Sequence, residues 1–322
     1  MKKVLKRILG WLLMIVILLS VLPYGITIPT AARFNPKPPF AESHLVDIGG
    51  ASLHYRLWQQ QGEVAGKVLL VHGMGGSTFS WNNTAPALAA AGFVVVAVDL
   101  PAFGYSDRSP RLDNSQSARS LLLWQLLDGI DVASATDGTW TLVGHSMGGG
   151  TVAAMAMDRP GDTSSLVLVA GALLDNNPPL ARALLMYPPL RRWLSVVAYN
   201  FLISEERIAG FLQSAYGRAA SPAEIAGYLD PLRQPGTAQA LGNLVRTAKN
   251  EPLERLTAFR RPALALWGEG DTWVPLAQAN ELHGSLPRLE IVALPGAFHV
   301  PMETHPEAFN AALLEFLLRT GP

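Results

Sequence analysis

Short apolar runs alternate along most of this chain with stretches whose apolar residues recur at helical spacing. Val68–Val71, Val94–Val98, Trp140–Val143, Leu166–Val169, Ala263–Trp267 and Ile291–Leu294 are nearly continuous apolar runs, as expected of strands buried on both faces of a parallel sheet. Pro86–Ala91, Ser117–Leu127, Gly149–Met157, Leu276–His283 and Pro306–Leu318 carry helical patterns between them. Leu45–Ile48 and Ala51–Trp58 flank Gly49-Gly50 and predict a hairpin at a sheet edge. The alternation predicts an α/β fold: a doubly wound, mostly parallel eight-stranded sheet that binds ligands at the carboxyl ends of its strands.

Two regions break the alternation. From Leu173 to about Arg260 there is no parallel-strand pattern. Leu180–Met186, Leu190–Leu202, Glu205–Ala215, Pro222–Tyr228 and Ala238–Thr247 read instead as short helices punctuated by prolines. This segment, about 173–260, is expected to be a helical lid inserted after the sixth main strand. Its Met186, Trp193, Tyr199, Phe201 and Phe211 either pack the lid onto its domain or line an acyl pocket.

The second exception is the N-terminus. Lys2, Lys3, Lys6 and Arg7 precede an uncharged stretch from Ile8 to Ile28, densest from Trp11 to Leu19. As a helix it reaches roughly 30 Å, enough to cross a bilayer. Pro23 and Gly25 weaken its second half, and Thr30-Ala31-Ala32 is a mediocre cleavage site. Residues 1–32 are therefore read as an uncleaved signal anchor, with a proline-bearing linker over 33–42 and the folded domain over 43–322. The cationic flank stays cytoplasmic, leaving the domain membrane-anchored and extracytoplasmic. The alternative is a secreted or periplasmic protein after cleavage.

Composition narrows the chemistry. With 322 residues, 49% of them hydrophobic, the chain suits one large domain or one domain with an insertion. Its 25 basic and 25 acidic residues cancel, which leaves no electrostatic footprint for nucleic acid. The absence of cysteine excludes disulfides, thiolate metal sites and cysteine nucleophiles, and fits export.

Thr141–Gly150 is the most informative stretch. An apolar run ends in Gly144-His145-Ser146-Met147-Gly148, and a small-residue helical pattern follows at once. This is the strand–turn–helix setting of a nucleophile elbow. A serine hydroxyl is a weak nucleophile and must stand clear of the backbone where a base reaches it. Gly144 and Gly148 leave room for strand and helix to pack closely around such a turn. The N–H of Met147 opens the helix and is free to face a developing oxyanion. A second donor is expected from Val71-His72-Gly73-Met74-Gly75-Gly76-Ser77, with the Met74 N–H in that role; the spacing does not fit a phosphate-binding loop.

Chain order Ser, acid, His then selects the partners. Asp271 follows the strand ending at Trp267 and lies deeper in its loop than the rival Glu269. His299 lies on a glycine-bearing loop after the last strand. His72 and His145 flank functional loops but precede the acid, while His44, His54, His283 and His305 occupy edge or helix-flank positions. Asp99, in the loop running to Ser106, reads as part of a rigid turn.

His72-Gly73, Asp99-x-Pro101-x-x-Gly104-x-Ser106, Gly144-His145-Ser146-Met147-Gly148-Gly149, Gly268-x-x-Asp271-x-x-Val274-Pro275 and Gly296-x-x-His299 together resemble the α/β-hydrolase superfamily over residues 45–320. The resembling branch holds lid-bearing esterases and lipases, carbon–carbon bond hydrolases of aromatic degradation, and haloperoxidase-like enzymes. The resemblance implies a serine hydrolase with no metal and no organic cofactor. Ser146 stands where the haloalkane dehalogenase and epoxide hydrolase branches carry aspartate. Ala102 stands where the family often has glycine.

The expected chemistry is hydrolysis of a hydrophobic acyl or small aromatic ester through an acyl-enzyme. Ser146, Asp271 and His299 form its triad and the Met74 and Met147 N–H groups its oxyanion hole. The expected partners are that small-molecule ester and the lipid bilayer, with no nucleic acid. Two alternatives stand beside it: a meta-cleavage carbon–carbon bond hydrolase, and a non-catalytic ligand-binding sensor.

Overall fold

The computed structural model describes residues 2–130, 138–173 and 186–320. Its centre is an eight-stranded sheet in the order β1-β2-β4-β3-β5-β6-β7-β8. The strands are β1 (Ser43–Ile48), β2 (Ala51–Trp58), β3 (Gly66–Val71), β4 (Phe93–Val98), β5 (Trp140–His145), β6 (Thr163–Val169), β7 (Ala263–Gly268) and β8 (Leu289–Leu294). β1, β2 and β4 pair antiparallel; the remaining pairs are parallel. The expected edge hairpin is β1–β2, in register Ile48 to Ala51 around the two glycines.

The unbroken apolar runs reflect burial on both faces. Leu69, Val71, Leu142, Leu166 and Leu168 face one apolar cluster. It is covered by α3 (Gln116–Gly129) through Leu123 and Trp124, and by α4 (Met147–Asp158) through Val152 and Met155. The alternate residues Val68, Leu70, Val143, Val167 and Val169 face a second cluster. That face is covered by Leu88 of α2 (Ala85–Ala90) and by Phe309, Leu313 and Phe316 of the C-terminal helix, Pro306–Thr320.

Between β6 and β7 the described chain is helical, as its prolines and spacing predict. It forms α5 (Pro188–Val197), a π-helical turn at Ala198–Leu202, α6 (Glu205–Tyr216), α7 (Pro222–Leu232) and α8 (Thr237–Thr247). The expected helix over Leu180–Met186 lies almost wholly outside the described residues. The expected helix over Leu190–Leu202 divides at Ala198, and that over Leu276–His283 is a short helix, Ala277–Glu281, closed by a 3₁₀ turn. Leu212, Tyr216 and Tyr228 carry α6 and α7 into the second core cluster.

The N-terminal apolar stretch is one helix, α1 (Lys2–Gly25), long and apolar enough to cross a membrane and with little of its length packed inside the protein. The segment after it lies against the domain. Gly236 N donates to Pro29 O at 3.3 Å, and the Arg108 guanidinium stacks over Phe34 at 5.2 Å.

Candidate active site

Ser146 sits between β5 and α4 with φ +49° and ψ −118°, a conformation that L residues rarely adopt. The turn is held from both sides: Ser146 N donates to Val169 O at 2.9 Å, and Ser146 O accepts from Gly149 N at 2.9 Å and Ala172 N at 3.0 Å. The elbow glycines answer to close approach. A Cβ on Gly144 would stand 2.4 Å from Gly148 O, and one on Gly148 would stand 2.5 Å from Val71 O. The serine is half-buried at the carboxyl edge of the sheet, where doubly wound folds place their chemistry.

The candidate acid and base, Asp271 and His299, stand on the loops after β7 and β8. His299 Nδ1 meets Asp271 Oδ2 at 2.8 Å, both residues being buried. Asp271 Oδ1 accepts from the N–H groups of Trp273 at 2.8 Å and Val274 at 3.0 Å, which fixes the carboxylate plane. Glu269 is exposed and is held through its backbone, Glu269 N donating to Leu294 O at 3.2 Å. Burial and bonding thus single out Asp271 over Glu269 as the partner of the histidine.

His299 is anchored through its backbone as well. Its N–H donates to Ala215 O at 2.9 Å, and its carbonyl accepts from His145 Nε2, also at 2.9 Å. The His145 and His299 rings lie 4.9 Å apart, so the histidine loop packs directly beside Ser146. Burial, then the neighbouring His299, pulls the His145 pKa well below its usual value, and that ring remains a neutral brace. No direct hydrogen bond joins Ser146 Oγ to His299 among the described residues; in apo structures such bonds are often long and tighten on substrate binding.

The loop after β3 closes the other side. A Cβ on Gly73 would lie 3.0 Å from Ser146 Cβ, so this loop runs over the serine. Neither the Met74 nor the Met147 amide donates a hydrogen bond among the described residues; Met147 follows Ser146 in the chain, and Met74 follows Gly73. His72 holds the loop: Nδ1 bonds Gly73 O at 2.7 Å and Nε2 accepts from Leu100 N at 3.0 Å.

Several features escape sequence inspection. Trp273 stacks on His299, with ring centroids 5.0 Å apart and planes 31° apart. Its indole N–H donates to Ser214 Oγ at 3.0 Å, and Phe211 meets it edge-on at 4.7 Å. Phe211 also reaches the loop after β3, its Cζ lying 3.9 Å from a Cβ built on Gly75. Helix α6 therefore presents an aromatic wall across the site. Its C-terminal end and the adjoining α7 are bolted down: the Tyr216 hydroxyl donates to Glu303, and the Tyr228 hydroxyl to Glu303 Oε1 at 2.6 Å. Burial raises the Glu303 carboxyl, with the tyrosine hydroxyls pulling the other way.

The edge-position reading of His54 is corrected. His54 is fully buried, Nδ1 bonding Asp99 Oδ2 at 2.6 Å and Nε2 bonding Ser43 Oγ at 2.9 Å. Asp99 also accepts from Thr78 N at 2.6 Å and Tyr105 N at 2.7 Å. Burial works to raise its pKa, but the His54 charge and these donors outweigh it and hold the carboxyl at about 2. Asp99 thus fastens the loop after β3 and its own loop to strand β2, in keeping with the rigid turn expected of it. Ala102 in the same loop has φ +79°, so the methyl that replaces the usual glycine is held in the left-handed region. Buried Arg108 ties this loop to the inserted helices, through Pro231 O at 3.2 Å and Thr237 Oγ1 at 3.1 Å.

The family model described as "alpha/beta hydrolase fold" matches residues 67–306, and the chain belongs to that family. It is thus a hydrolase of the α/β fold. Among curated relatives, the "Uncharacterized hydrolase YugF" of Bacillus subtilis is 28% identical over 287 residues, covering 84% of this chain and 96% of that protein. A "2-hydroxy-6-oxononadienedioate/2-hydroxy-6-oxononatrienedioate hydrolase" of Burkholderia vietnamiensis is 27% identical over 274 residues, covering 78% and 87%. Among solved structures, a "membrane phospholipase A, a novel bacterial virulence factor" superposes with a TM-score of 0.68 at 22% identity, covering 99% of both chains.

Proposed function

We propose that the protein is a membrane-anchored serine esterase whose triad is Ser146, His299 and Asp271. The observation that carries the reading is the conjunction of an elbow serine at φ +49° with a buried His299–Asp271 pair held against its neighbour His145. In this scheme His299 Nε2 takes the Ser146 proton as Oγ bonds the ester carbonyl carbon. Asp271 keeps the other imidazole proton on Nδ1 and stabilises the imidazolium. The Met74 and Met147 N–H groups receive the oxyanion. Collapse expels the alcohol, which takes the proton from His299; water, deprotonated by the same imidazole, then bonds the acyl carbon, and the acid leaves as Ser146 Oγ takes that proton back.

A hydrophobic acyl or small aromatic ester is favoured by Met74, Phe211 and Trp273, large apolar side chains left exposed around the serine. Each buried methylene is worth about 0.8 kcal/mol, so kcat/KM should rise several-fold per added CH₂ from acetyl towards butyryl or hexanoyl esters until the pocket is full. The direct test is labelling by a fluorophosphonate probe. The parent should label and Ser146→Ala should not; full labelling of Ser146→Ala refutes the nucleophile assignment. Ser43, which contacts His54, supplies the control, and Ser43→Ala should label like the parent. The second reading, carbon–carbon bond hydrolysis, has the Burkholderia relative in its favour. A flat acyl-length series with turnover confined to vinylogous diketones would select it.

A further inference from the structure

Outside α1, half of the large apolar side chains left exposed among the described residues fall between positions 186 and 202. They include Tyr187, Leu190, Tyr199, Leu202 and Phe201, the last 65% exposed. A soluble domain rarely leaves so much apolar surface in one stretch. The same stretch is joined to the C-terminal end of α1 by an unusual set of bonds. Pro23 has no N–H, so the Leu19 carbonyl one turn earlier loses its helical donor. The Trp193 indole N–H takes that carbonyl at 2.8 Å. Arg192 donates to Pro23 O at 3.0 Å and to Ile26 O just past the helix, placing a cation at the C-terminal end of α1. Tyr187 and Ser20 share a hydroxyl–hydroxyl bond at 2.7 Å.

These contacts fix depth as well as orientation. From Ile8 to Gly25 an α-helix rises about 27 Å, close to the hydrocarbon thickness of a bilayer. With Lys6 and Arg7 at one boundary, Gly25 lies at the other, and Leu19 lies about 9 Å inside it. Helix α5, bonded to Leu19, is thereby carried to the depth at which amphipathic helices lie in an interface. Its Tyr187, Trp193, Arg191 and Arg192 are residue types that settle at headgroup level.

We infer that α5 and the π-helical turn after it are a second membrane contact, lying in the outer interface of the bilayer that α1 crosses. The occupant of the exposed 187–202 face is lipid. The insertion between β6 and β7 then bears on the membrane through α5 while the next helix, α6, walls the site with Phe211. This rests on the reading of α1 as an uncleaved anchor, and it specifies where that ester hydrolase takes its substrate: from the membrane surface.

The absence of cysteine makes the test direct. Single-cysteine variants Leu190→Cys, Phe201→Cys and, as a distant control, Leu318→Cys are made in the full-length Ser146→Ala chain, so the readout is independent of turnover. Each is labelled with an environment-sensitive fluorophore and reconstituted into phosphatidylethanolamine–phosphatidylglycerol vesicles, with mass measurement verifying an intact N-terminus. The expected result is quenching at 190 and 201 by nitroxide-labelled lipid, together with protection from an aqueous quencher, and the reverse at 318. Aqueous access at 190 and 201 equal to that at 318 overturns the inference. So does protection without lipid quenching that grows with protein-to-lipid ratio, which would mean that a second copy covers the face. In otherwise native protein, Phe201→Asp with Leu202→Asp should lower the rate on an ester embedded in vesicles at least tenfold. Hydrolysis of a water-soluble butyrate should stay within twofold of the parent. Equal losses on both substrates overturn the membrane-entry role even if the label depths hold.

Discussion

Asp271→Asn tests the site through proton placement. In the native loop Asp271 Oδ1 accepts from the Trp273 and Val274 amides, and Oδ2 faces His299 Nδ1. An asparagine has one oxygen, and two fixed N–H groups claim it. The side-chain NH₂ is then turned toward His299 Nδ1, which can only accept. The imidazole proton moves to Nε2, the nitrogen that should receive the serine proton, and the base is disabled without displacing the ring. Loss of the corresponding orientation in a serine triad costs roughly 10⁴ in kcat, and about 5.5 kcal/mol at 1.36 kcal/mol per decade. The structural cost is smaller, about 1–3 kcal/mol for one charge-assisted bond made neutral, so the chain should still fold. The assay is steady-state hydrolysis of a p-nitrophenyl butyrate, with near-ultraviolet circular dichroism verifying native packing. Glu269→Gln, altering an exposed carboxylate, should remain within twofold of the parent. A folded Asp271→Asn protein within tenfold of parent activity, or a 10⁴ loss in Glu269→Gln, would falsify the assignment.

Three further outcomes follow from geometry already described. Gly144→Ala forces a methyl against Gly148 O and Val152 and should cost about 1–3 kcal/mol and most activity; a parent-like unfolding midpoint and kcat would show that the elbow relaxes freely. His72 and His145 are both held below the usual histidine pKa, first by burial, so the unfolded chain binds more protons than the folded one as pH falls below about 6.5. Stability is full above that pH and should fall by up to about 1.4 kcal/mol per pH unit per residue below it, read from urea midpoints at pH 7.5, 6.5 and 5.5; unchanged midpoints would refute the buried-neutral assignment. Trp273→Ala strips the ring stacked on His299 and should reduce kcat/KM about tenfold, whereas Trp273→Phe keeps an aromatic face and should recover most of it; equal losses in both would place the effect elsewhere.

The sheet was legible because each strand is buried on both faces, so its sequence is a plain apolar run between turn residues. The Ser146 turn and the Asp271–His299 pairing were legible because strand ends and chain order restrict where such groups can stand. The long-range polar contacts elsewhere in the fold were not. Glu303 stands in the short helix Pro301–Thr304, and its carboxyl takes the hydroxyls of Tyr216 and Tyr228, 87 and 75 residues earlier in the chain. His54 looked like an edge residue because nothing local announces Asp99 across the sheet. Likewise Pro23 marks a weak point in α1, but only the tertiary structure shows Trp193 occupying the carbonyl it exposes. Each miss is a polar group satisfied by a distant partner, information that periodicity does not contain.

The bolted end of α6 changes what the insertion is for anyone who would re-engineer it. Ala215 O holds the His299 amide, Tyr216 holds Glu303, and Arg108 reaches from the Asp99 loop to Pro231 and Thr237. Excising residues 186–247 would therefore remove part of the frame that sets the histidine, and graft-and-swap experiments on the whole segment should yield inactive chains whatever their substrate. The exchangeable part stops short of Ser204: cutting there keeps the Phe211–Tyr216 stretch with the sheet and makes α5 and its π-turn the cassette in which diversity can accumulate without moving the His299 loop.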